Sequence, residues 1–487
     1  MKKTRREFLA HTGCTALSAA ALCSGLGRFA LIDALAQSSS PSTYQALVCI
    51  FLFGGNDSNN VVIPYTNYSE YSAFRVVGRD QFAVPQDQLL QITPPSMTGL
   101  VFGLHPRLGD AFGSNPSLYR LWNQGKAAII CNAGPLIQPI SRTEYLAGIA
   151  HPYQLFSHSD QQNLWQTSYA NGPKSTGWGG NAVDQIGGSG ANFPAICSVA
   201  GVTVFSTGLN TRPLVLSPAP TPLNATLKLF KYGNNPPEDA LMSLLTTDGQ
   251  DPMPALIQGA TQITTSALAA GAAISNDPTL ATTFPNSTLG NQLKQVAKMI
   301  SLAPQLGVLR QVFFVSLGGF DTHTNQGAYN TQNGQAGLLS QLSQALGAFY
   351  QATVELNVSS NVIAFTSSDF SRTFVPGGGN TGTDHAWGSH HFVVGDAVAA
   401  ADFYGQYPSL VVGAQQDTDS GSGARGRWIP TTSVDQYAAT LADWYGLALS
   451  NRSLVFPNIG NFSPQMLGFL NPPGMGQGGA RAIQKKG

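Results

Sequence analysis

Three apolar runs in this chain each stop at a glycine- or serine-containing turn that carries an aspartate. Residues 46–53 lead into Gly54-Gly55-Asn56-Asp57, and 312–317 into Gly318-Gly319-Phe320-Asp321-Thr322-His323. Residues 362–366 lead into Ser367-Ser368-Asp369-Phe370-Ser371-Arg372. Acids at the ends of parallel strands gather at the carboxyl edge of the sheet, where α/β proteins bind ligands. Crowded carboxylates repel one another unless a cation neutralises them. Imidazole is close at hand. His323 follows Asp321 by two residues, and His385 ends Gly382-Thr383-Asp384-His385. Oxygen donors with added imidazole suit a divalent ion such as Zn or Mn. Asp57, Asp321, His323, Asp369 and His385 are therefore expected to hold the metal ion or ions. A single Gly-x-Asp turn more often closes a loop or caps a helix. The expectation rests on three such acids together with two histidines. For His390 and His391, ligation or orientation of a ligand stands level with a structural role.

A metal at a strand edge commonly activates water or a hydroxyl nucleophile. The segment Leu155-Phe156-Ser157-His158-Ser159-Asp160-Gln161-Gln162 offers both a hydroxyl and an imidazole. Ser157 or Ser159 is a candidate nucleophile, with His158 as ligand, acid or base. Ser141, beside Arg142, is a competing nucleophile, and all of these residues also read as ordinary loop polarity. Arg372 is a candidate for binding an anionic substrate or the site's own acids. The sequence carries no P-loop, nucleophile elbow or dinucleotide fingerprint.

These residues need strands and helices to hold them. The stretch 312–366 reads as strand, helix, strand. Its helix, 337–356, has Leu338, Leu342, Leu346, Phe349 and Thr353 on one stripe. That unit implies a right-handed crossover and parallel pairing. Strands that are apolar on both faces fit a sheet covered by helices on each side. Further strands are expected at 127–131, 194–199 and 213–216, with 133–180 as a polar connection. Residues 217–237 read as a linker or surface loop and 238–303 as helical. A helix within 430–446 has Ser433 as N-cap and Gly446 as stop.

The chain begins Lys2-Lys3-Thr4-Arg5-Arg6-Glu7-Phe8-Leu9, followed by an alanine-rich stretch and Ala34-Leu35-Ala36. That order of charge, mild hydrophobicity and small-x-small residues fits a twin-arginine export signal over 1–36. The expected partner in export is the twin-arginine translocase, and the expected destination is the periplasm or beyond. The stretch lacks a strongly apolar run of about 18 residues, so no permanent membrane span is expected. The remaining ~450 residues suffice for one large α/β domain with insertions, taken as 37–470, with a loose tail over 471–487. Acidic and basic residues balance at 25 each, which leaves no electrostatic footprint for nucleic acid. Outside the leader, Cys49, Cys131 and Cys197 lie in apolar strand-like runs and read as buried free thiols.

The motifs Phe-Gly-Gly-Asn-Asp-Ser-Asn-Asn (53–60), Phe-Ser-His-Ser-Asp-Gln-Gln (156–162), Gly-Gly-Phe-Asp-Thr-His (318–323), Ser-Asp-Phe-Ser-Arg-Thr (368–373) and Gly-Thr-Asp-His-Ala-Trp-Gly (382–388) occur in this order. The helix Asp-Gln-Tyr-Ala-Ala-Thr-Leu-Ala-Asp-Trp-Tyr-Gly (435–446) follows them. Together with the leader, the set resembles the bacterial domain-of-unknown-function family numbered 1501 across nearly the whole mature chain. That family is grouped with the alkaline phosphatase and sulfatase superfamily. The resemblance implies a three-layer α/β/α sandwich with a mostly parallel central sheet and a two-metal hydrolytic site. It likens Asp57, Asp321, His323, Asp369 and His385 to that superfamily's ligands. Three departures stand out: the Asp321-x-His323 spacing is short, Phe370 occupies a place usually held by histidine, and no clear nucleophile motif is present.

The function expected on these grounds is metal-dependent hydrolysis of phosphate or sulfate esters, with a small anionic ester as substrate. Ser157, or a metal-activated water, would attack. The alternative is an exported binding or surface-organising protein that keeps a metal without turnover.

Overall fold

The computed structural model describes residues 43–76, 81–186, 193–225, 270–271, 273–274, 276–377 and 381–473. The expected leader at 1–36, most of the expected helical stretch before residue 270 and most of the 471–487 tail lie outside the described residues. The chain divides into two compact units, Met1–Pro41 with Thr221–Asp277, and Ser42–Pro220 with Pro278–Gly487. In the first, a short turn of 3-10 helix, Leu223–Ala225, is tied by the Leu223 N–H donating to Asp277 Oδ1 at 2.8 Å. The second carries every candidate site residue. Among the described residues no helix is long and apolar enough to cross a membrane.

The described residues form twelve strands: β1 Gln45–Leu52, β2 Val62–Pro64, β3 Leu90–Ile92, β4 Phe102–Leu104, β5 Ala127–Gly134, β6 Ile196–Ser198, β7 Leu214–Val215, β8 Arg310–Leu317, β9 Val362–Ser368, β10 Ser389–Val394, β11 Phe403–Tyr404 and β12 Thr432–Ser433. Nine of them make one sheet in the order β11-β5-β10-β9-β1-β8-β6-β7, with β12 also on β5. Only β10 runs antiparallel to its neighbours β5 and β9; the other pairs are parallel. The protein is thus α/β, with a large, mostly parallel mixed sheet and packed helices. β2, β4 and β3 form a separate small antiparallel sheet.

The expected strand–helix–strand unit is present as β8, the helix Gly334–Glu355 and β9. The two strands do not pair with each other, however, because β1 lies between them. Every residue of β1 is buried, which suits the centre of a covered sheet. On one face Phe51, Phe314 and Phe365 pack with Trp178, Phe205 and Tyr437. The helix Val434–Tyr445 is closed as its sequence requires. Ser433 and Gln436 form a reciprocal capping box, and Gly446 takes the left-handed conformation at the far end.

Two parts differ from expectation. The 133–180 connection holds the helices Arg142–Leu146 and His158–Thr167 and the start of Trp178–Ile186. The His158 helix opens His-Ser-Asp-Gln-Gln-Asn and shows its apolar side only at Leu164 and Trp165, so its period is weak in sequence. Likewise His390 and His391 lie inside β10, a six-residue strand whose first half is polar. Cys49, Cys131 and Cys197 are free and buried in β1, β5 and β6, and burial pushes all three thiols up.

Register places the chemistry. Leu52 at the end of β1 lies opposite Leu317 of β8 and Ser368 of β9. The three aspartate turns therefore leave the sheet at one level. β10 runs the opposite way, so the loop before it, which carries His385, arrives at that same edge. Glycine makes the first turn possible. Gly54 has φ +110°, and a Cβ there would collide with the Asp321 backbone nitrogen.

Candidate metal centre

Four side chains converge at this edge: His158, Asp321, His323 and His385, with donor atoms all within 4.8 Å of one another. Asp321 is the hub. Its Oδ1 lies 3.0 Å from His323 Nε2 and 3.7 Å from His385 Nε2, and its Oδ2 lies 3.5 Å from His158 Nε2. The Nε2 atoms of His323 and His385 are 3.0 Å apart.

Each imidazole turns its other nitrogen toward an oxygen. His158 Nδ1 is 2.6 Å from Asp369 Oδ2, His385 Nδ1 is 2.7 Å from the Phe156 carbonyl, and His323 Nδ1 is 3.6 Å from Asp384 Oδ1. A carbonyl oxygen only accepts, so Nδ1 of His385 carries the proton and its Nε2 keeps a lone pair. The carboxylate of Asp369 fixes His158 in the same sense. Its Nε2 is buried and has no hydrogen-bond partner. With His323 in its Nδ1-protonated tautomer, three imidazole lone pairs and a carboxylate face one another. A cation is the natural complement of that donor set, and an oxygen behind each ligating imidazole is what metal centres use to orient it. A tetrahedral ion with ligands at ~2.1 Å separates them by roughly 3.4 Å, which lies within the observed spread. Asp321 and His323 are about half exposed, at 47% and 46%, so the centre opens to solvent on that side.

The local electrostatics set the basicity of each donor. The hydrogen bond to Asp369 raises the basicity of His158 above the ordinary imidazole value. Burial lowers that of His385, which favours the neutral, ligating form near pH 7. Burial pushes the Asp321 carboxyl up, but Arg372, with His158 and His323, outweighs it and holds the group below the usual carboxylate range. Phe370 fills the space between His158 and His385, with ring centroids 4.8 and 4.7 Å from theirs.

The other expected residues stand in different relations to this group. Asp369 is fully buried just behind it. Its Oδ2 accepts from His158 and from Gln162 Nε2 at 2.8 Å, and its Oδ1 from the Gly54 N–H at 3.3 Å. Asp57 is outside the group. Arg75 donates to both its oxygens, at 2.7 and 3.1 Å, and Gln326 Nε2 donates to Oδ2 at 2.6 Å. Arg372 is fully buried beside Asp321, to which its Nη1 donates at 2.8 Å. Ser157 occupies the N-cap position of the His158 helix without a side-chain capping bond, and its hydroxyl donates to Asp160 Oδ2 at 2.6 Å. Ser159 Oγ lies 3.3 Å from Ser157 Oγ, and Ser141 is the N-cap of the helix Arg142–Leu146.

His390 and His391 are buried away from the centre. His390 Nδ1 accepts from the Asn132 N–H at 3.0 Å and its ring stacks on Tyr407. His391 stacks on Tyr437 and meets Trp165 edge-on. Burial lowers both to about 3, so they are neutral core residues.

Several participants carry no clear sequence signal. Phe156 is a non-glycine residue at φ +69°, a conformation costing about 1–3 kcal/mol, and it aims its carbonyl at His385. Its ring also lies 5.4 Å from the Arg427 guanidinium, whose Nε holds the His385 carbonyl at 2.8 Å. Gln162 and Arg75 act through partners far away in sequence. Asp384 could have been suspected from the Asp-His pair alone.

Fold and centre together define a large α/β protein with a three-histidine, one-aspartate group at the carboxyl edge of its sheet. The chain belongs to the family described as protein of unknown function DUF1501, whose model matches residues 44–420. No curated protein matches it by sequence. Among solved structures, one from work on the metabolism of multiple glycosaminoglycans by Bacteroides thetaiotaomicron is similar at 10% identity. The alignment covers 84% of this chain and 74% of that one, with a TM-score of 0.29, too low to carry an inference.

Proposed function

We propose that this chain is an exported metal-dependent hydrolase of phosphate or sulfate esters. On this reading residues 1–36 are a twin-arginine signal recognised by the translocase, 37–470 form the functional domain, 471–487 are a tail, and the protein works in the periplasm or outside the cell. The domain would be a three-layer α/β/α sandwich of the alkaline phosphatase-like kind, which the nine-stranded mixed sheet and its packed helices support.

The observation that carries the reading is the common arrangement of His158, His323 and His385, each with Nε2 toward Asp321 and Nδ1 toward an oxygen. These four residues would be the ligands, and three imidazoles favour Zn or a similar ion over Mg or Ca. Such an ion supplies Lewis acidity at an ester oxygen and makes bound water a stronger nucleophile. The chain's own part is to hold that geometry. Asp369 and the Phe156 carbonyl keep the proton on Nδ1 of His158 and His385, and Arg372 keeps Asp321 ionised and in place. Ser157 is the side-chain candidate for attack, and water is the other.

Elemental analysis of the natively exported protein, followed by assays on aryl phosphates and aryl sulfates with Asp321→Ala as control, tests the proposal. A metal-loaded protein with no turnover on either class would sink it.

A further inference from the structure

We infer that the centre is built for one divalent ion, with Arg372 as a permanent second cation, and that it is therefore matched to singly charged esters. The inference rests on the metal-dependent hydrolase reading above and narrows it.

The acids that could have made a second ion site are already occupied. Asp57 accepts three hydrogen bonds from Arg75 and Gln326. Asp369 accepts from His158, Gln162 and the Gly54 N–H. Among the described residues, one group of potential ligands remains, and it is completed by His158 from outside the strand-end turns.

Arg372 is equally committed. Its Nη1 donates to Asp321 Oδ1 and to the Gly54 carbonyl at 3.1 Å. Its Nη2 donates to the Thr383 carbonyl, and its Nε lies 3.4 Å from Thr383 Oγ1. With the side chain fully buried and its donors turned to protein oxygens, it cannot swing out to grip a substrate. It acts as a fixed charge shared with Asp321.

The charge of the occupied centre follows. A divalent ion and Arg372 face Asp321 and Asp369, which leaves one net positive charge. At the rim, Arg427 lies 2.7 Å from Asp419 and 3.8 Å from Asp384, two acids to one cation, so one positive charge is the most the site offers. A sulfate monoester or a phosphate diester carries one negative charge, the most that field can balance. A phosphate monoester dianion exceeds it, and in a partly desolvated site excess charge is costly.

The test is a metal count joined to a substrate comparison on the natively exported full-length product. One ion per chain is expected, lost in His158→Ala and retained in Asp57→Asn. The cobalt-loaded wild type should show the intense visible absorption of a four- or five-coordinate, imidazole-rich site, a readout independent of turnover and of how well the variants fold. Two ions per chain in the wild type overturn the inference even if esters are hydrolysed. Turnover of an aryl sulfate or a bis-aryl phosphate should exceed that of the matching aryl phosphate by at least ten-fold in kcat/KM. A preference for the dianionic monoester overturns the charge matching. One bound ion with no turnover on any of the three supports the single-ion centre and removes the hydrolase reading instead.

Discussion

His158 Nδ1 and Asp369 Oδ2 are 2.6 Å apart, and the carboxylate is entirely buried while the imidazole reaches toward solvent at 28% exposure. A strand-end acid that the sequence presents as a metal ligand is thus positioned one layer further back, and on the proposed reading it orients a ligand. Replacing it should weaken the metal without abolishing it. Asp369→Asn is expected to lower metal affinity about 10- to 100-fold, the usual range for an orienting partner of a ligating histidine. Competition with a chelator of known affinity measures this. Complete loss of binding would make Asp369 a direct ligand.

Asp57 and Arg75 form a buried ion pair with side chains 1% and 0% exposed. Asp57→Ala leaves a guanidinium uncompensated in the interior and should cost about 3–5 kcal/mol. Urea unfolding should show this as a large drop in midpoint. Restoring charge balance with Arg75→Met in the same chain should recover part of it. A single-variant loss under about 1 kcal/mol would mean that the pair contributes little to the fold.

His390 and His391 contribute to the acid limit of stability, as His105 does, which burial also lowers to about 3. Their ordinary value of 6.5 falls to about 3 in the folded protein because both are buried. The unfolded chain therefore takes up more protons between those values, and stability drops as pH falls from 6.5 toward 3. A tenfold difference in proton affinity between folded and unfolded chain corresponds to about 1.4 kcal/mol, so the total loss across the window should reach several kcal/mol. Asp435 works in the opposite sense. Burial raises it from 3.8 to about 7, so its contribution is present at low pH and is lost as pH rises through 7. Unfolding midpoints measured from pH 3 to 8 should resolve both trends. His391→Phe, which keeps the stacking on Tyr437, should flatten the acid side.

Cys49, Cys131 and Cys197 should be inert in the native protein. All three are free, buried in strands and pushed up by burial, so little thiolate is exposed to attack. A colourimetric thiol reagent should find none of them before denaturation and all three after it. Rapid labelling of any one under native conditions would contradict its placement in the sheet.

Much of the frame was legible from local pattern. The central strands announced themselves as apolar runs, and the turns after them placed Asp57, Asp321 and Asp369 near one edge. Ser433 and Gly446 marked the limits of their helix, because capping is written in adjacent residues. What could not be read was pairing at a distance. Nothing near Asp57 shows that Arg75 will neutralise it, and nothing near Asp369 shows that a helix beginning at His158 will supply its partner. β10 was hidden for a related reason. Its buried histidines look like chemistry until Tyr407, Tyr437 and Trp165 close around them.

The position of β1 has a consequence for how the centre comes into being. Gln45 near the start of the described chain is in register with Arg310 of β8, and Ala46 with Val362 of β9. The middle of the sheet is therefore a structure of high contact order, slow to nucleate because long loops must close before any pair is rewarded. A nascent chain that ends before residue 362 has β1 without one of its two neighbours, and it lacks His385 altogether. On the proposed reading, capture of an ion by all four side chains would then be a late event, a seal on the finished fold and not a seed for it.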